Sequence, residues 1–232
     1  MVKFGLEFLQ EKDEQNNGSA RLGLLHTAHG DVHTPCFMPV GTVAAMKAMH
    51  FDALRKTGAE IMLCNTYHLM IQDRYNTIAK MGGLHKFMNW DKPILTDCGG
   101  FQAMSLSALN KINEKACTFR CHLSGQKHEL TPEFSMEIQH KLDNDITMAL
   151  DECVRQPDYK YTKRAMERSL RWAQRSKDAF VKRDGYGLYG IVQGGAEKDL
   201  RTASIEGLKK IDFDGYAIGG DLSINDGWEL MF

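Results

Sequence analysis

The sequence predicts an α/β fold: a TIM (β/α)8-type barrel, incomplete at its C-terminal end with about six strands, carrying an N-terminal antiparallel β-hairpin cap. Three observations predict it. Almost continuously apolar runs recur at residues 93–96, 146–150, 188–192 and 215–218, as they do in parallel strands buried on both faces. Stretches of helical periodicity separate them, and strand–helix alternation argues for a parallel sheet with right-handed crossovers. Each run ends in a polar residue or glycine, namely Asp97, Asp151, Gln193 and Gly219. In a barrel of this kind the working residues sit where the strands end.

Residues 4–12 and 21–27 read as paired strands around a polar turn at Asn16-Asn17-Gly18-Ser19, and a second turn at Gly30-Asp31 leads into a third strand from His33. From Pro35 the rhythm changes to a strand at 35–41, a helix near 43–57, a strand at 61–65 and a helix around 75–82. Residues 115–130 alternate as a hairpin turning at Ser124-Gly125. Thr131 as N-cap and Pro132 at the first helical position begin a helix with Phe134, Ile138 and Leu142 on its inner face. A longer helix at 159–182 turns Met166, Leu170, Ala173 and Phe180 inward and Lys163, Arg164, Arg168, Arg171, Arg175 and Lys182 mostly outward. That basic stripe reads either as a solvated helix face or as an RNA-facing surface. Strands at Pro35, Ile61, Ile94, Ile146, Leu188 and Gly215 make six, and residues 221–232 leave no room for two further units, so an open barrel is expected.

With 232 residues, 43% of them apolar, the chain can bury a real core, and one domain is expected: a cap at 1–34, barrel units at 35–220 and a divergent tail at 221–232. A net charge of −1 excludes global attraction to nucleic acid, so any RNA contact has to come from a local basic patch. Six cysteines scattered through apolar runs, and no charged leader before an apolar segment, predict a reduced, cytoplasmic protein. No run approaches the roughly 18 apolar residues of a membrane span, so no membrane partner is expected. Cys117 and Cys121 invite a zinc reading, but their CxxxC spacing falls outside the usual CxxC and the alternation there favours the hairpin. The thirteen methionines read as core filler.

Two aspartates at neighbouring strand ends are the sharpest chemical signal, because glycosidic bond chemistry commonly uses carboxylates as nucleophile and as acid or base. The plainer reading is that each caps a helix or closes a turn. Asp97 precedes Cys98-Gly99-Gly100-Phe101, where two glycines permit close backbone approach and Phe101 offers a stacking face. A carboxylate at Asp151 suits the exocyclic amine and ring N–H of a guanine-like base. Gln193-Gly194-Gly195 and Gly219-Gly220 present an amide and main-chain groups suited to the opposite edge of that base. His68 reads as a packing histidine or a substrate contact.

Met38-Pro39-Val40-Gly41-Thr42, Asn65-Thr66-Tyr67-His68-Leu69, Gly82-Gly83-Leu84-His85-Lys86-Phe87-Met88, Asp91-Lys92-Pro93-Ile94-Leu95-Thr96-Asp97, Leu130-Thr131-Pro132-Glu133, Asp151-Glu152-Cys153, Ser169-Leu170-Arg171-Trp172-Ala173 and Gly190-Ile191-Val192-Gln193-Gly194-Gly195 stand in this order. The ensemble resembles tRNA-guanine transglycosylase, also called queuine tRNA-ribosyltransferase, of the bacterial type, from the N-terminus to about Gly220. The resemblance implies exchange of the wobble guanine of certain tRNAs for a 7-deazaguanine on the queuosine pathway. An aspartate attacks the ribose C1′, expels guanine and holds a covalent tRNA intermediate. By motif position Asp97 is the acid or base that handles the base proton, Phe101 stacks on the base, Asp151 grips its Watson–Crick edge, and Gln193 with the main chain at Gly219 completes recognition. The implied partners are tRNA, guanine or a 7-deazaguanine base, and a second copy or a full-length homologue.

The sequence departs from the pattern in several places. The family's nucleophilic aspartate and its Cys3His zinc site lie further along than this sequence runs, so neither is assigned and no cofactor is expected in this chain. Cys98 stands where the family usually has serine, Ile71-Gln72-Asp73-Arg74 replaces Leu-Arg-Pro-Gly, and Asp221-Leu222 interrupts a usual Gly-Gly-Leu. The expectation is a C-terminally truncated transglycosylase of impaired activity; the alternative is an inactive remnant or partner subunit that binds a deazaguanine or pairs with a full-length homologue.

Overall fold

Apolar periodicity of 2.0 and of 3.6 residues alternates along this chain, and the computed structural model, which describes residues 2–10, 20–106, 110–154 and 158–220, follows that alternation. In chain order come β1 (Gly5–Gln10), β2 (Leu22–Thr27), β3 (Gly30–Thr34), α1 (Phe51–Lys56), β4 (Met62–Cys64), α2 (Thr66–Met70), α3 (Arg74–Lys80), α4 (Gly83–Met88) and β5 (Ile94–Thr96). There follow α5 (Gly100–Ser105), β6 (Asn110–Ile112), β7 (Cys117–Arg120), β8 (Lys127–Leu130), α6 (Pro132–Leu142) and β9 (Ile146–Met148). The last are α7 (Tyr159–Ala179), β10 (Gly187–Val192), α8 (Lys198–Ile211) and β11 (Gly215–Ile218). The result is a mixed α/β fold with five parallel strands and two antiparallel three-stranded sheets. The turn expected at Asn16-Asn17-Gly18-Ser19 and the tail from Asp221 lie outside the described residues. No helix among the described residues is long and apolar enough to cross a membrane.

The chain divides into two compact units. The first comprises Met1–Asp97, Ile138–Thr147 and Val181–Gly187. Its antiparallel sheet runs β1-β2-β3, with Leu25 opposite Val32 and both buried. The second turn sits at Ala28-His29 and not at Gly30-Asp31, because Gly30 already pairs with Thr27 and the Thr27 hydroxyl donates to its carbonyl over 2.7 Å. Parallel pairing joins β4 to β5 and β5 to the first residues of β9, with Met62 opposite Ile94 and Leu95 opposite Ile146. The strand expected at 35–41 is reduced to a single parallel bridge between Val40 and Leu63; Pro35 and Pro39 lack the N–H groups a ladder requires. The helix expected near 43–57 forms only as α1, since Ala44 and Ala48 stand at φ 60° and 59° and interrupt any earlier turn. Ile61, Leu69, Ile71, Ile78, Leu84, Trp90, Ile94 and Leu142 are the core of this unit.

The second unit comprises Cys98–Glu137, Met148–Phe180 and Leu188–Phe232. The expected hairpin is present as β7 and β8, with β6 added on the far side of β7. α6 begins as expected, the Thr131 hydroxyl accepting from Phe134 N over 3.1 Å. Past β9, Ala149 N donates to Tyr189 O, and β10 pairs in parallel with β11 from Tyr189↔Gly215 to Val192↔Ile218. α7 and α8 cover these strands over a core of Met136, Ala149, Ala173, Leu188, Val192, Leu208 and Phe213. Asp158 caps α7 at Lys160 N, and the helix stops at Ala179, three residues short of the expected end.

The basic stripe on α7 is largely engaged. Arg168 and Arg171 both pair with Glu114, and Arg175 forks onto Glu133. The fully buried Trp172 donates its indole N–H to the Glu114 carbonyl. These arginines fasten α7 to the loop after β6 and to the start of α6.

Candidate active site

Each parallel strand hands the chain to a turn at its C-terminal end, and the expected residues occupy those turns. Asp97 follows β5 and ends the first of the three segments that make up the first unit. Its Oδ1 accepts from Thr66 N at 2.8 Å, its Oδ2 from Asn65 Nδ2 at 2.5 Å, and its carbonyl from the Thr66 hydroxyl at 2.5 Å. Asp97 N in turn donates to Cys64 O. The Asn65-Thr66 turn after β4 is therefore a cradle for the carboxylate, a role not read from the sequence, although both residues were visible in a motif. His68, one turn into α2, sets its ring edge-on to Tyr67 at 5.2 Å.

Asp151, Gln193 and Gly219 come together in the second unit. Asp151 is 6% exposed, and its carboxylate meets two neutral groups: the Cys98 thiol 3.0 Å from Oδ1, and the Gln193 amide donating Nε2–H to Oδ2. Burial outweighs both hydrogen bonds and holds the carboxyl above the usual carboxylate range, with the nearby Glu152 charge adding to the rise. Gln193 is fixed from behind, its N–H donating to Ser204 Oγ in α8. Cys98 is fixed on both sides: its carbonyl accepts from Ser135 Oγ at 2.9 Å and its sulfur from Gly100 N at 3.3 Å.

The glycines are steric requirements here. A Cβ on Gly219 would collide with Ile191 Cγ2 and stand 2.9 Å from Gln193 Nε2, so any side chain would push the Gln193 amide aside. A Cβ on Gly100 would stand 2.7 Å from the Asp151 carbonyl. Arg201 of α8 binds the carbonyls of Gly195 and Gly219 at 3.3 and 3.0 Å, tying together the two loops that carry the GG pairs. Phe101, in the first turn of α5, is 41% exposed.

Directly after Asp151, Glu152 is almost wholly buried and takes three partners from α7: Arg168 Nη1 on Oε2, Tyr161 OH on Oε1 at 2.8 Å, and Ser169 Oγ on its N–H at 2.9 Å. Arg168 and Tyr161 carry no sign of this role in sequence, being separated from Glu152 by 16 and 9 residues.

Among the described residues, the group with metal-ligating spacing is His29, His85 and Asp145, in the first unit and apart from Asp97. The two imidazoles lie face to face, 3.5 Å between centroids and 14° between planes. Their lone pairs therefore lie in two nearly parallel, separated planes, a poor arrangement for meeting on one ion, while the 2.8 Å from His29 Nδ1 to Asp145 Oδ1 is a hydrogen-bond length.

Against known proteins, the family described as queuine tRNA-ribosyltransferase matches residues 15–232. The queuine tRNA-ribosyltransferase of Rickettsia prowazekii (strain Madrid E) is 58% identical over 214 residues, covering 92% of this chain and 59% of the relative. That of Granulibacter bethesdensis (strain ATCC BAA-1260 / CGDNIH1) is 56% identical over 220 residues, covering 94% and 58%. That of Ruegeria pomeroyi (strain ATCC 700808 / DSM 15171 / DSS-3) is 54% identical over 218 residues, with the same coverage. The chain thus spans a little under 60% of the length of these curated relatives.

Proposed function

Because the chain belongs to the queuine tRNA-ribosyltransferase family, we propose that it serves base exchange on tRNA, replacing a wobble guanine by a 7-deazaguanine, on a scaffold of the TIM-barrel type. The observation that carries this reading is the Asp151 carboxylate, buried and met among the described residues by the neutral Cys98 thiol and Gln193 amide. A guanine offers a ring N–H and an exocyclic amine side by side, two donors at the spacing of one carboxylate. Binding replaces the two internal donors by two from the ligand, and frees the Gln193 amide to turn, with the Gly219 main chain, to the opposite edge. Phe101 supplies the stacking face.

In this reading Asp97 is the general acid or base. Its hydrogen bonds from Asn65 and Thr66 hold the carboxyl group in place. It protonates the departing guanine and accepts a proton from the incoming base. Attack on the ribose C1′ by an aspartate, giving a covalent tRNA intermediate, is the second half of the proposal; no residue is assigned to it.

The test is incorporation of labelled guanine into an unmodified tRNA bearing a wobble guanine, run beside calorimetric titration of guanine. Incorporation above a no-enzyme control supports exchange. Guanine binding without incorporation reduces the reading to a base-binding chain, and absence of both removes it.

A further inference from the structure

Two consecutive buried carboxylates, Asp151 and Glu152, are provided for in opposite ways. The Asp151 carboxylate has two neutral donors, whereas the Glu152 carboxylate has a guanidinium and a phenol, and its backbone N–H donates to the Ser169 hydroxyl. A buried carboxylate with a cation is an anchor; one without keeps hydrogen-bonding capacity for a ligand. We infer that Glu152, held by Arg168 and Tyr161 of α7, is a positioning residue that fixes the loop after β9 and so aims the Asp151 carboxylate at a purine edge. This rests on the base-reading role given to Asp151 above.

The clamp is built from α7 and the loop after β6. Arg168 is itself oriented by Glu114, whose carboxylate Arg171 and Arg168 hold at about 2, well below its usual range. Glu114 is fixed in turn through its carbonyl by Trp172 and Arg175. Among the described residues, one helix therefore supplies the hydrogen-bond partners of Glu152. The charged and titratable groups facing the two carboxylates are Arg168, Tyr161 and, through Arg168, Glu114 on the Glu152 side, Cys117 of β7 within reach of the Glu152 charge, and Cys98 on the Asp151 side. The clamp also acts through space. Glu152 opposes ionisation of Asp151, and Arg168 offsets that opposition.

Opposite substitutions therefore have opposite electrostatic consequences. Glu152→Gln removes the opposing charge and leaves Arg168, so Asp151 ionises at lower pH. Arg168→Met leaves Glu152 unneutralised, so Asp151 ionises at higher pH. Tyr161→Phe removes one hydrogen bond, leaves the charges in place and is the mildest test of position. The experiment is guanine affinity against pH for the full chain and these variants, with carbon-13 NMR titration of the Asp151 carboxyl as a readout that needs no ligand. Expected are a loss of roughly tenfold in guanine affinity for Tyr161→Phe, the size of one misplaced hydrogen bond, and acid limits that move in opposite directions for Glu152→Gln and Arg168→Met. Arg168→Lys restores most of the Met variant's pH shift. If both charge variants move the Asp151 titration the same way or not at all, the inference is overturned. If the unsubstituted chain fails to bind guanine, the base-reading role falls, while the NMR titration still decides whether the clamp governs Asp151.

Discussion

The Cys98 thiol stands 3.0 Å from Oδ1 of Asp151, while the Gln193 amide holds the other carboxylate oxygen. A thiol is a weaker donor than a hydroxyl, so at this position cysteine supports the ionised carboxylate less than serine would. Burial already holds the Asp151 carboxyl above its usual range. If Asp151 reads a guanine edge as proposed, the base donates to the ionised form, so affinity is expected to fall as the pH drops through that raised value. Cys98→Ser is expected to move this acid limit to lower pH and Cys98→Ala to higher pH. Calorimetric titration between pH 4.5 and 8, a range of about that width being needed to bracket a raised carboxyl, checks the order; a common limit for all three chains contradicts it.

Asp151→Asn keeps the shape of the side chain but turns one acceptor into a donor that faces the ligand's own N–H groups. Guanine binding at pH 7 is expected to weaken by about 1–3 kcal/mol, with thermal stability changed far less, since the asparagine removes a costly buried carboxyl. An unchanged dissociation constant would show that Asp151 does not read the base.

Asp97→Asn has a different signature. Thr66 N and Asn65 Nδ2 both donate to the carboxylate, and an asparagine amide must place its NH2 against one of them. A stability loss of about 1–3 kcal/mol is expected from the donor left facing a donor, together with loss of guanine exchange. Thermal melts and labelled-guanine incorporation measure the two separately; exchange at the unsubstituted rate would remove Asp97 from the chemistry.

Much of this arrangement was legible. Residues 94–96, 146–148 and 187–192 read as strands because parallel strands buried on both faces are apolar without interruption, and Asp97, Asp151, Gln193 and Gly219 were visible as the residues at which such apolar runs give way. Thr131-Pro132 announced α6 through local capping chemistry alone. The features that stayed hidden depend on contacts distant in sequence. The charge stripe on α7 was visible, but its partners, Glu114 and Glu133, lie more than 40 residues upstream, so a solvated face could not be told from an engaged one. Short helices were hidden for another reason: α2 and α4 span 5 and 6 residues, too few for a 3.6-residue period to register. The over-long helix at 43–57 failed on backbone strain at Ala44 and Ala48, residues whose intrinsic preference is helical.

Gly219→Ala tests the packing at the opposite edge of the pocket. The added methyl runs into Ile191 Cγ2 and meets the Gln193 amide at 2.9 Å. One contact is with a β-branched side chain that has little room to rotate, the other with the group that holds Asp151. Overpacking of this size costs about 1–3 kcal/mol of stability, and, on the recognition role proposed for the displaced amide, guanine affinity is expected to fall at least as much as for Gln193→Ala. Equal affinity in Gly219→Ala and the unsubstituted chain would show that the amide has slack the structure does not indicate.

In the first unit, the histidine and carboxylate pair beside the hairpin predicts a pH dependence of stability with two limbs. Asp145 is fully buried, and its Oδ1 accepts from His29 N at 3.0 Å and lies 2.8 Å from His29 Nδ1, while Oδ2 accepts from Ile94 N at 2.9 Å. The hydrogen bonds from His29 and Ile94 N, with the His85 imidazole 3.2 Å from Oδ2, outweigh its burial and lower its carboxyl below the usual 3.8. The Asp145 hydrogen bond raises the His29 imidazole above the usual 6.5. A depressed carboxyl contributes stability above its unfolded value and loses it as pH falls through the folded one. A raised imidazole contributes fully below its unfolded value and loses it as pH climbs through the folded one. The contribution is therefore greatest between 3.8 and 6.5. Asp145→Asn is expected to cost about 3 kcal/mol or more at pH 6, since it breaks a buried pair from one side. His29→Gln is expected to cost less, and its deficit against the unsubstituted chain should shrink as the pH is raised past the folded imidazole value. Urea denaturation at a series of pH values reads both. A His29→Gln deficit that stays constant up to alkaline pH would show that the charged pair contributes nothing beyond the packing of its rings.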